Sequence, residues 1–193
     1  SFVCLFIIRA VRVQISMNHM NHRIQLASVA LSFLLAADLV EAKDWPQFRG
    51  PNASGRSAEQ NLAVEWSDTQ NLSWKTELPG PGSSSPIISG GKVFVTSYSG
   101  YGVNRNDPGE PDDLTRHVVC LDAVNGRILW QREIPARLPE DPFRGYISEH
   151  GYASSTPVAD GERVYVFFGK TGALAFDYSG DEVWRTELGQ ESS

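Results

Sequence analysis

Few side chains in this 193-residue chain are placed to do chemistry. His117, His150 and the neighbouring Glu149 are zinc-ligand types, but their spacing matches no metal motif, so they read as polar loop residues. Glu110, Asp112 and Asp113 offer carboxylates to calcium without the alternate spacing of a calcium loop, and read as a solvated acidic loop. Ser83-Ser84-Ser85 and Ser154-Ser155-Thr156 supply hydroxyls. A nucleophile sits in one elbow, whereas these triplets recur at one repeat position, so they read as turn and strand-start residues. Cys120 reads as a small buried residue.

The stretch Phe143-Arg-Gly-Tyr-Ile-Ser-Glu-His-Gly-Tyr152 is the best candidate for binding. It mixes aromatics with charge between two regular segments, and binding residues collect on loops held by a rigid scaffold. Arg144, Glu149, His150 and Tyr152 are its candidate contact residues.

The elements that must hold these loops form a repeat. Cys120 to Trp130 reads as strand, tight turn, strand, and Ala175 to Trp184 repeats it. Each has a small residue, an Asp two positions on, then Gly, then Trp four residues after the Gly. Upstream, Ser85-Pro86 to Val95 matches Thr156-Pro157 to Val166 without a gap. Gly90-Gly91 and Asp160-Gly161 are hairpin turns, flanked by β-branched and aromatic strands. Val93 to Asp122 spans 29 residues and Val164 to Asp177 spans 13, so the first copy carries an insertion of 16. That insertion, Tyr98 to His117, reads as a loop from its Gly, Asn and Pro content. A second long loop runs from Pro135 to Tyr152. Trp74, Trp130 and Trp184 each precede two polar residues, Glu and an aliphatic, and are separated by 56 and 54 residues. Asn71 to Leu78 therefore reads as a strand like the end of each repeat, and Leu62 to Trp66 as a short one.

Each repeat supplies four short strands with apolar residues on both faces. Such a sheet must stack against like sheets, and radial stacking makes a β-propeller. The expected fold is all-β, a partial β-propeller of four-stranded antiparallel blades. Residues 43–70 form an irregular lead-in, since Pro46 and Pro51 bar Trp45 to Pro51 from a central strand. Residues 71–193 hold the blades, an incomplete set.

Residues 1–42 read as upstream sequence followed by a signal peptide starting at Met17 or Met20. Its apolar stretch of about 14 residues falls short of the roughly 20 that span a bilayer. Cleavage after Ala42 leaves no integral membrane segment. What remains has 14 Lys and Arg against 21 Asp and Glu, a balance of −7, which argues against nucleic acid as a partner. Cys120 is the single Cys left, so no internal disulfide forms.

The pattern small-x-Asp-x-x-(Thr/Asn)-Gly-x-x-x-Trp resembles the tryptophan-docking repeat of the PQQ-like β-propellers. That superfamily includes quinoprotein alcohol dehydrogenases and the propeller of the outer-membrane barrel assembly machine. Trp45 to Pro51 and Glu149 to Pro157 look most like exported PQQ-like repeat proteins of planctomycete-type bacteria. The resemblance implies that Trp130 and Trp184 dock flat on a Gly of a neighbouring blade. It implies that Gly126 and Gly180 are turn glycines and that Asp122 and Asp177 cap the turns. The Asp177 turn is one residue shorter than usual, which implies a looser blade. Trp74 has no Asp or Gly before it and resembles the strand that completes a last blade, with five or six further blades to follow. Quinoprotein dehydrogenases hold PQQ with adjacent cysteines and calcium ligands. No Cys-Cys occurs here, so no cofactor is expected. The implied role is an exported, periplasmic or extracellular, non-catalytic scaffold for a protein or other extracellular ligand. The alternative is a fragment of a PQQ-dependent oxidoreductase with PQQ and calcium.

Overall fold

The computed structural model describes residues 2–3, 44–60 and 62–188. The expected leader, with Met17, Met20 and cleavage after Ala42, lies outside the described residues. Phe2–Val3 (β1) pairs antiparallel with Thr76–Glu77 (β2).

Two four-stranded antiparallel meanders follow. The first runs Ile87–Ser89 (β3), Lys92–Ser99 (β4), Thr115–Asp122 (β5) and Ile128–Pro135 (β6), in spatial order β3-β4-β5-β6. The second runs Val158–Ala159 (β7), Arg163–Phe167 (β8), Ala173–Asp177 (β9) and Glu182–Thr186 (β10), in order β10-β9-β8-β7. These are the two blades. Strand alternation sorts their side chains by face. On blade 1, Phe94, Tyr98, Val118 and Cys120 point toward Val164, Val166, Leu174 and Phe176 of blade 2 in one buried cluster. Val93, Val95, Val119 and Leu121 take the opposite face, where Leu78 and Trp74 cover them. Burying each large side chain at the inter-blade seam contributes roughly 1.5–3 kcal/mol.

The stretch expected as a loop from Tyr98 to His117 is partly strand. Tyr98 pairs with Arg116 and Ser99 with Thr115, and β6 pairs alongside as far as Pro135, so the sheet itself is longer and only residues 100–114 are left as loop. The inward alternation continues through Tyr98 and Arg116, and that pattern outweighs the turn-forming composition of the residues between them. The expected strand over Leu62 to Trp66 does not form: Val64 and Trp66 are exposed, and the local pairing is a single bridge between Ser67 and Gln70. Of Asn71 to Leu78 only Thr76–Glu77 is paired. The Pro135 to Tyr152 connection contains one helical turn, Tyr146–His150 (α1), between Gly145 and Gly151.

The lead-in clips the blades together. Trp45 exchanges two backbone hydrogen bonds with Ile88 of β3, at 2.7 and 3.0 Å. Pro46 has no N–H to continue the ladder, and its carbonyl instead accepts from Ala159 of β7 at 2.8 Å. Asp44 fixes the start, its carboxylate accepting from Ser89 Oγ and the Gly90 N–H.

Candidate binding site between the blades

The blades are set against each other by a repeated contact. The Trp130 indole N–H donates to the Tyr178 carbonyl at 3.0 Å, and its ring lies on Gly180. A Cβ at Gly180 would come within 2.7 Å of that ring, and the φ of +89° is one few other residues adopt. Trp74 makes the same contact one blade earlier, donating to the Ala123 carbonyl at 3.1 Å over Gly126. The residue two positions after each Trp adds a bond to the same glycine: Thr76 Oγ1 to Gly126 O at 2.7 Å, and Arg132 Nε to Gly180 O at 2.6 Å. In both blades a bulge precedes the tryptophan, between the partners of Cys120 and Leu121 and between Glu182 and Trp184, and turns the ring out of the sheet. Asp122 Oδ1 accepts from the N–H groups of Val124 and Asn125, and Asp177 Oδ1 from those of Ser179 and Asp181. The shorter Asp177 turn keeps the docking distance of its neighbour. Trp184 lies against Tyr165 at a ring separation of 6.0 Å and is 40% exposed.

The two long connections meet above this seam. Tyr98, Tyr101, Phe143 and Tyr152 form an aromatic cluster with ring separations of 5.6 to 6.3 Å. Tyr152 Oη donates to the Asp141 carbonyl at 2.7 Å, Tyr98 Oη to the Gly102 carbonyl at 3.0 Å, and the Phe143 N–H donates to Tyr101 Oη at 3.0 Å. Burial, with the Tyr101 hydroxyl adding to it, raises the Tyr152 phenol well above its ordinary range, so it stays a neutral donor. On the outside, Arg105 donates to the Ser148 carbonyl and to Glu149 Oε1, joining the hairpin loop to α1. The Tyr146 ring lies tilted against His150 at 4.3 Å and is 70% exposed.

Beneath the aromatics lies Arg116. Its side chain and that of Glu140 are 3% and 4% exposed, and they meet at 2.5 Å. Arg116 also donates through Nε to the Tyr152 carbonyl and through Nη1 to Thr171 Oγ1 of blade 2. Its guanidinium sits 5.7 Å from the Tyr152 ring and 5.8 Å from the Phe168 ring. One buried cation therefore holds blade 1, the inter-blade connection and blade 2. Lys170 and Asp141 pair beside it at 2.7 Å.

The residues singled out in the sequence divide accordingly. Arg144, Glu149 and His150 are exposed on the raised connection, together with Tyr146 and Arg105. Tyr152 is buried, because its ring fills the aromatic cluster; it anchors the loop and offers no contact surface. His117 lies in β5, 3% exposed, with Nε2 at 2.8 Å from Ser99 Oγ. Burial lowers its pKa and the Glu133 carboxylate opposes this, so the ring is held neutral. Among the described residues no three His, Cys, Asp or Glu side chains gather to hold a metal. Cys120 is fully buried and burial pushes its thiol up to about 12, which leaves it unreactive. Among the described residues neither adjacent cysteines nor converging metal-ligating carboxylates are present, and Trp130 is committed to the blade seam, so these residues by themselves do not fit PQQ. Arg116, Glu140, Lys170 and Arg105 were missed in the sequence. Alternation would have found Arg116, which shares a strand face with Val118 and Cys120 and so must be buried.

Fold and repeat contact define a partial β-propeller of the PQQ-like type. The chain belongs to the family described as outer membrane protein assembly factor BamB, whose model matches residues 54–192. Among solved structures it is similar to BamB from Moraxella catarrhalis, with 21% identity and a TM-score of 0.38 over 60% of this chain. The match spans 27% of that structure's length. No curated protein matches the chain.

Proposed function

We propose that this protein is an exported, non-catalytic propeller scaffold that binds a protein partner through the raised surface formed by its two long connections. The observation that carries the proposal is how those connections are built. Residues 100–114 and 136–151 extend beyond the regular sheet, yet they are locked by four aromatic rings and the Arg105–Glu149 contact. The lock leaves Arg144, Tyr146 and His150, within seven residues of one another, exposed on a preorganised base. Rigid loops bind with little ordering cost, and Tyr and Arg are over-represented among residues that dominate protein interfaces. The family adds support, since its description names an assembly factor.

The quinoprotein alternative is separated by melting the whole protein, as its host makes it, with saturating PQQ and calcium. A ligand bound to the folded state at a hundred times its dissociation constant stabilises by about 2.7 kcal/mol. The scaffold reading predicts an unchanged melting temperature. A reproducible rise of more than about 2 °C would show a cofactor site and sink the non-catalytic reading.

A further inference from the structure

A cavity of about 140 Å³ opens beside the Arg116 hub, between the inter-blade connection and blade 2. That is far more than the roughly 10–15 Å³ that admits one water. Arg116, Glu140 and Asp141 line it together with Ser154, Ser155 and Phe167. Of its lining charges, Arg116 pairs with Glu140, and Asp141 pairs with Lys170 outside the lining, so each charge is already matched. Hydrogen-bonding capacity nevertheless remains. The hydroxyls of Ser154 and Ser155 have no partner among the described residues. Asp141 uses Oδ1 for Lys170 and has Oδ2 unengaged. Arg116 has committed three of its five N–H groups. Both serines are partly exposed, so the cavity can be reached from solvent.

A recess whose charges are paired, and whose donors and acceptors stand beside Ile147, Phe167 and Phe168, suits a ring with many hydroxyls and apolar faces. An ionic ligand would face a like charge wherever it met an opposite one. We infer that this cavity is a binding site for a neutral polyhydroxylated ring, a single sugar unit free or at the end of a glycan. The inference goes beyond the protein-binding surface above: that surface is the exposed rim of the connection, and this site is the cavity beneath it.

The test is ligand-observed NMR and calorimetry on the whole protein. The probes are glucose and galactose, with glucuronate and inorganic phosphate as charged comparators. The inference predicts saturable binding of at least one neutral hexose with a dissociation constant on the order of 1 mM, and weaker or no binding of the comparators. Ser154→Val with Ser155→Val fills the cavity and removes two donors, and is expected to weaken hexose binding at least tenfold. Asp141→Asn keeps a hydrogen bond to Lys170 and is expected to weaken binding several-fold. An unchanged melting temperature shows that each variant is folded. Absence of hexose binding at 10-fold excess over about 1 mM, preferential binding of the anions, or undiminished binding by the folded serine variant would each overturn the assignment.

Discussion

Replacing Arg116 with methionine is expected to destabilise the protein by about 3–5 kcal/mol, the largest effect of any single change away from the apolar core. The methionine keeps the packing between the Tyr152 and Phe168 rings, so the loss comes from charge and hydrogen bonds. Glu140, 4% exposed, is left without its cation, and the Tyr152 carbonyl and the Thr171 hydroxyl lose a donor. Denaturant midpoints at a constant slope measure the change. The second variant, Arg116→Met with Glu140→Gln, removes the stranded charge and is expected to recover more than half of the loss, because an uncompensated buried charge costs more than the pair contributes. A loss under about 1 kcal/mol for the single variant would show that Arg116 is not the hub described.

Trp130→Ala is expected to cost about 3–5 kcal/mol, as expected for emptying a buried aromatic site. The ring fills the seam against Phe94 and Phe176 at 5.9 and 6.2 Å and bonds the Tyr178 carbonyl. Trp130→Phe retains most of the packing and drops only the indole donor, so it should cost about 1–3 kcal/mol. Both values come from equilibrium unfolding. Equal losses for the two variants would mean that the hydrogen bond, and not the packed ring, sets the blade contact.

Much of the scaffold was legible because repetition amplifies weak signals. One Asp-to-Trp hairpin says little, but two in register with matching upstream strand pairs required stacked four-stranded sheets. The same comparison exposed Trp74, although without an Asp-Gly turn of its own its partner stayed hidden. The structure shows why: the turn that receives each tryptophan lies one blade further on, so Trp74 is received by Gly126 and Trp130 by Gly180. The loops were less legible. Gly, Asn and Pro marked Tyr98 to His117 as irregular, while the period-two pattern of Tyr98, Arg116 and Val118 carried the strands further. Charge in a loop marked Arg144 and Glu149, and both are exposed on the raised connection. Arg116 fell inside the stretch read as a loop, so the alternation that buries it with Val118 and Cys120 was not applied to it. Tyr152 was read as a contact residue by its type, and its burial follows from a hairpin extension that composition concealed.

The claim that the raised connections form the partner surface is tested most directly by site-specific photo-crosslinking in the native host. The crosslinker is placed at Arg144 and Tyr146 on the platform, and at Val124 and Glu162 on exposed turns of the two blades. One adduct of the same mass is expected at positions 144 and 146, containing the same protein by mass spectrometry, and none at 124 or 162. Adducts at the turns with none on the platform, or the same mixture at all four positions, would contradict it.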